Sequence, residues 1–261
     1  MKLHAFVLSA LALLPIAASA EMQVRKLRYS VDATSVESVL VYDDAGAKRP
    51  GLVMVPNWMG VNDAQIAKAK AIAGSEYVVL VADVYGVDTR PTNADEAGKA
   101  ASAMYADRAA LRARVNAALD QLASASDVPL DAAKLGAIGF CFGGATALEL
   151  ARSGADLAGV VSFHGNLGTD LPARSGEVKA RVLAINGADD RYVPAEQINA
   201  FTAEMAGAGI DWQFVNLGGA VHCFAEADAN SPPGCIYNER AAKRAFAMMR
   251  AFFAEAFAVH P

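Results

Sequence analysis

The chain of 261 residues is 54% hydrophobic and 20% charged, too apolar for a disordered polypeptide and long enough to bury a large core. A formal net charge of −5, with no run of Lys and Arg, argues against binding nucleic acid through its phosphates. Past the N-terminus no stretch of about 18 apolar residues suggests a membrane span, and three cysteines are too few for a disulfide scaffold.

Residues 1–20 combine a basic start at Lys2, an apolar stretch from Ala5 to Ala17 broken by Pro15, and the small-x-small ending Ala18-Ser19-Ala20. This is the pattern of a secretory signal peptide. With no linker, repeat or low-complexity tract after it, residues 21–261 read as a single α/β domain. The signal pattern predicts a protein exported to the periplasm or secreted, free of the membrane once the signal is removed. That setting permits disulfides.

In chain order, Gln23 to Ser30 and Val36 to Tyr42 read as two strands, forming a hairpin at a sheet edge. Gly51 to Pro56 is a short apolar run, as expected of a strand buried on both faces. A helix over Ala64 to Ala73 and a second buried strand over Tyr77 to Ala82 follow. The Ala-rich segment from Ala94 to Ser124 reads as one or two helices. Lys134 to Phe140 is a strand and Gly144 to Arg152 a helix. Leu157 to Phe163, Ala180 to Asn186 and Trp212 to Leu217 complete the strands. Helices cover Ala195 to Ala206 and Asn238 to Phe257. Such alternation predicts an α/β fold with a mostly parallel central sheet and helices on both faces. In that architecture the chemistry sits on loops at the C-terminal ends of the strands.

Three of those loops carry a nucleophilic set. Gly139-Phe-Cys141-Phe-Gly143-Gly144 lies between a strand and a helix, the nucleophile-elbow pattern with sulfur in place of a hydroxyl. The glycines leave room for a sharp turn, and the helix N-terminus favours negative charge on the thiol. The N–H of Phe142 points where an oxyanion forms. His222, after the last strand, is the general-base candidate, with His164 lining the site. Asp190 or its neighbour Asp189 orients the base, the other serving the turn. The order Cys141, Asp190, His222 is that of nucleophile, acid and base in the α/β-hydrolase fold.

Two cysteines remain. Cys223 and Cys235 flank a loop rich in Asn, Ser, Pro and Gly, and a disulfide between them would hold His222 in place. Two free thiols, or Cys223 acting as a resolving partner for Cys141 in redox chemistry, are the alternatives. No metal is expected: Cys141, His164 and His222 lack any ligand motif around them.

The segments Gly139-Phe-Cys-Phe-Gly-Gly144, Gly187-x-x-Asp190-x-x-Val193-Pro194 and His222-x-Phe224 resemble the dienelactone hydrolase family of α/β-hydrolases. Trp58-Met-Gly-Val-Asn62, Ala82-Asp-Val-Tyr-Gly86 and Tyr237-Asn238 add to the likeness, which covers essentially the whole chain after residue 20. The resemblance implies a Cys141–Asp190–His222 triad and selects Asp190 over Asp189. It adds the N–H of Trp58 to that of Phe142 as the oxyanion hole. With Trp58, the residues Asn57, Tyr85, His164 and Phe224 are expected to line the substrate pocket. The family's thiol-contacting glutamate is matched here by Asn57. Its two substrate-gripping arginines are matched by Gly86-Val87-Asp88, with Arg90 displaced nearby, and by Glu226. These differences predict a substrate other than dienelactone. The Cys141–Asp190–His222 set predicts an ester, lactone or thioester cleaved through an acyl-enzyme without a cofactor, and a monomer or dimer is expected. A catalytically silent binding protein on the same scaffold, or a thiol-redox protein using Cys141 and Cys223, are the other readings of these residues.

Overall fold

The structure is a computed structural model that describes residues 21–259. The expected signal peptide, residues 1–20, lies outside the described residues.

Burial alternates residue by residue along β1 (Met22–Val31), as it must for a strand at a sheet edge with one wet face. β1 pairs antiparallel with β2 (Thr34–Asp43), and β2 pairs antiparallel with β4 (Val78–Val81). β3 (Arg49–Val55), β5 (Leu130–Phe140), β6 (Gly159–Phe163), β7 (Arg181–Gly187) and β8 (Trp212–Leu217) continue the sheet in parallel. The order is β1-β2-β4-β3-β5-β6-β7-β8. Every residue of β4 and β6 is buried, which explains why those segments read as unbroken apolar runs.

Apolar side chains from the two faces of the sheet build two cores. One, with Leu111, Val115 and Leu148, is closed by α3 (Arg108–Ala123) and α4 (Phe142–Arg152). The other, with Ile72, Met249 and Phe253, is closed by α1 (Asp63–Ala73) and α6 (Glu239–Val259). α2 (Ala94–Ala106) and α5 (Ala195–Gly207) complete the helices. The Ala-rich segment divides at Asp107, whose carboxylate caps α3 by accepting from the Ala110 N–H.

All of α4 is buried, including Glu149 and Arg152. Glu149 is compensated by Arg108, Arg112 and Arg152, and Arg152 also grips Glu204 and the Leu167 carbonyl. This network ties the loop after β6 to the helix that follows Cys141. A short hairpin, β9 (Asn230–Ser231) and β10 (Cys235–Ile236), is too brief to show in sequence periodicity.

The chain passes from β4 on one side of β3 to β5 on the other, so the sheet changes direction of growth between β3 and β5. The loops after those two strands carry Trp58 and Cys141, at the crevice where α/β sheets hold their ligands.

Candidate active site

Cys141 joins β5 to α4 with φ 55 and ψ −117, a left-handed backbone uncommon outside glycine. The glycines around it are dictated by contact. A Cβ on Gly143 would stand 2.0 Å from the Val55 carbonyl oxygen, and one on Gly144 would stand 2.7 Å from Ser162 Oγ. The elbow therefore packs directly on the end of β3, which brings the Trp58 loop beside the sulfur. Neither the Trp58 nor the Phe142 N–H has a protein acceptor among the described residues.

His222 Nε2 stands 3.1 Å from Cys141 Sγ, and His222 Nδ1 stands 2.7 Å from Asp190 Oδ2. Asp190 is buried; its other oxygen accepts the Tyr192 N–H at 2.8 Å, while Asp189 is exposed. Burial is the largest influence on the His222 ring and pushes its pKa down. The hydrogen bonds to Asp190 and Cys141, with their negative charge, more than offset it and raise the pKa to about 10.

Cys223 and Cys235 form a disulfide, leaving Cys141 as the free cysteine. The bond links the residue after His222 to β10, and the Ile236 N–H donates to the His222 carbonyl at 3.1 Å. Pairing Cys223 with Cys235 disfavours the redox reading, which requires Cys223 for Cys141.

A cavity of about 240 Å³ opens over the sulfur, lined by Trp58, Cys141, Tyr192, His222, Cys223 and Cys235. Asn57, Tyr85, His164 and Phe224 do not border it. Asn57 folds its side-chain oxygen onto the Met59 N–H of its own loop. Tyr85 is buried, donates to the Trp58 carbonyl at 3.0 Å and so supports that loop from below. Burial holds its phenol well above the usual pKa. His164 and Phe224 are fully buried: the His164 ring packs 5.1 Å from that of His222 on one side and 5.1 Å from that of Phe224 on the other. The wall is instead completed by Tyr192, whose ring lies 5.2 Å from that of His222. Tyr105 packs 5.4 Å from the Phe142 ring on the other side of the elbow. No periodic pattern in the residues points to either tyrosine.

The two charged positions of interest face elsewhere. Arg90 donates to Asp83 at 2.7 Å and to the Gly86 carbonyl. Glu226 is buried and paired with Lys68 of α1. Among the described residues, no group of three or more His, Cys, Asp or Glu is placed to hold a metal. No helix among them is long and apolar enough to cross a membrane.

A strand–Cys–helix elbow facing a His–Asp pair across a mostly parallel sheet is the framework of an α/β-hydrolase. Residues 37–257 match the dienelactone hydrolase family, and the chain belongs to it. It is 38% identical to m3DLH, with a TM-score of 0.84, over 90% of this chain and 99% of that one. It is likewise 38% identical to a dienelactone hydrolase-like promiscuous phosphotriesterase from metagenomic libraries, with a TM-score of 0.83 and the same coverage. An uncharacterized Caenorhabditis elegans protein is 35% identical over 57% of this chain and 95% of its own length. The protein is an ester-cleaving hydrolase of this family.

Proposed function

We propose that the protein is an exported hydrolase that cleaves an uncharged carboxylic ester, lactone or thioester through an acyl-enzyme on Cys141. The observation that carries this reading is His222, held between the cysteine sulfur and a buried carboxylate. With a pKa raised to about 10, His222 is a base strong enough to take the proton of the Cys141 thiol as the substrate is engaged. The thiolate attacks the carbonyl carbon and the carbonyl oxygen becomes an oxyanion. The N–H groups of Trp58 and Phe142 receive it. As the tetrahedral intermediate collapses, His222 gives its proton to the leaving oxygen or sulfur, and the acyl group stays on Cys141. The neutral ring then takes a proton from water, which attacks the thioester and releases the acid. Asp190 keeps the ring oriented through both halves.

The cavity lining supports an uncharged substrate, since it includes no Arg, Lys, Asp or Glu. Arg90 is engaged by Asp83, and Glu226 by Lys68. Export is supported by the signal-like residues 1–20 and by the disulfide.

The test is a panel of neutral and anionic esters, lactones and thioesters, with a phosphotriester added because of the similar phosphotriesterase. Wild type and Cys141→Ala are compared, with mass spectrometry of the quenched wild-type enzyme. The expected outcome is an acyl adduct on the peptide containing Cys141 and no turnover by Cys141→Ala. Undiminished turnover by that variant would overturn the reading.

A further inference from the structure

His164 is fully buried, with the rings of His222 and Phe224 each 5.1 Å away. Its Nδ1 accepts the Cys141 N–H at 3.1 Å, a hydrogen shared with the Phe163 carbonyl at 3.0 Å. An accepting Nδ1 places the ring's proton on Nε2. Burial, with the charges of His222 and Lys68, pushes the pKa of His164 well below its usual value, so the ring carries that proton alone. Yet Nε2 is buried without a partner among the described residues.

Two buried acceptors beside Lys68, whose charge reaches His164, share that condition. Glu226 pairs through Oε2 with Lys68, and the Gln65 amide reaches that oxygen at 3.5 Å. Glu226 Oε1 and Gln65 Oε1 have no partner among the described residues. The Lys68 ammonium sits 4.1 Å from the centre of the Phe140 ring, and that ring lies 6.2 Å from His164. One orphaned donor and two orphaned acceptors match the bonding capacity of one water, which accepts once and donates twice. A cation would oppose the Nε2–H and the Lys68 ammonium, and an anion would oppose Glu226.

We propose that His164, Gln65, Lys68 and Glu226 enclose a buried hydration site whose water accepts from His164 Nε2–H and donates to Glu226 Oε1 and Gln65 Oε1. The bridge fixes His164 in the tautomer that holds the Cys141 backbone. These side chains are positioning residues for the nucleophile, acting through the elbow rather than on the substrate. This rests on Cys141 being the nucleophile.

The test compares full-length wild type with His164→Asn, His164→Leu and the double variant Lys68→Met, Glu226→Leu, with Cys141→Ala as control. The measurements are kcat and KM on a neutral activated ester, the pH profile of Cys141 alkylation, and nitrogen-15 NMR of the His164 ring. An Asn side-chain oxygen can stand in for Nδ1, and Asn tolerates the φ of 40 at this position. Asn therefore keeps kcat within a few-fold, while Leu loses roughly 100-fold in kcat with KM little changed. The double variant replaces a buried pair by apolar groups, a change that folds preserve. It lowers kcat about tenfold and displaces the alkylation profile, with KM held. Wild-type NMR shows the proton on Nε2. A proton on Nδ1, or a double variant with wild-type kcat and alkylation profile while Cys141→Ala is inactive, overturns the hydration site and leaves the proposed reaction standing. An active Cys141→Ala removes the reaction itself. If His164→Leu does not fold, the tautomer and the double variant still decide.

Discussion

Gly139 and Gly143 face each other across the elbow so closely that a Cβ on Gly139 would stand 1.9 Å from the Gly143 carbonyl oxygen. No rotamer change relieves a contact between a Cβ and a backbone oxygen. Gly139→Ala is therefore expected to destabilise the protein by about 3 kcal/mol and to move the sulfur relative to His222. Urea unfolding checks the first effect and alkylation of Cys141 the second.

Asp190→Asn preserves the shape of the site but removes the charge that faces His222 Nδ1 at 2.7 Å. It is expected to lower kcat by roughly 1,000-fold or more, with KM changed far less. Steady-state kinetics on a neutral ester gives both numbers.

The raised pKa of His222 has a consequence for stability. Its folded value of about 10 lies above the ordinary 6.5, so the ring binds its proton more tightly in the folded state. The resulting stabilisation is fully present below pH 6.5 and is lost as pH rises toward 10. The urea midpoint of wild type is expected to fall across that window. His222→Gln lacks this component of the fall, which parallel titrations in urea would show.

Removing the disulfide by Cys235→Ser is expected to cost about 3 kcal/mol, from the loop entropy it no longer restrains. Cys223 follows His222 directly, so kcat is expected to fall as well. Thermal melts and kinetics, each with and without dithiothreitol, separate the two effects. Wild type in reductant should approach the variant.

The charge of the substrate gives another test. Arg90 is held by Asp83 and the Gly86 carbonyl, so Arg90→Met should weaken folding while leaving the ratio of kcat/KM for neutral over anionic esters unchanged. A ratio that rises in this variant would assign Arg90 to the substrate.

Much of this protein was legible in its residues. The apolar runs of β3 to β7 and the glycines around Cys141 record local constraints, a strand buried on both faces and a turn with no room for side chains. Long-range placement was less visible. That a residue follows a strand names its loop but not the side of the loop it faces, so Phe224 and His164 looked like pocket residues yet are fully buried. Tyr192 reaches the cavity because Asp190 turns the chain beneath it, a conformation with no signature in composition. Glu226 read as a charge near the substrate. Its burial depends on Lys68, far away in sequence and brought close only by the packing of α1.

Asn57 donates nothing to the sulfur: its side-chain oxygen is spent on its own loop, and among the described residues His222 alone hydrogen-bonds Sγ. A half-buried free sulfur that lines an open cavity meets oxidants and alkylators as well as substrate. Peroxide and electrophilic drugs should disable this enzyme without any substrate to trigger them, and preparations stored in air should drift toward sulfinic acid unless a reductant too mild to open the Cys223–Cys235 staple is supplied.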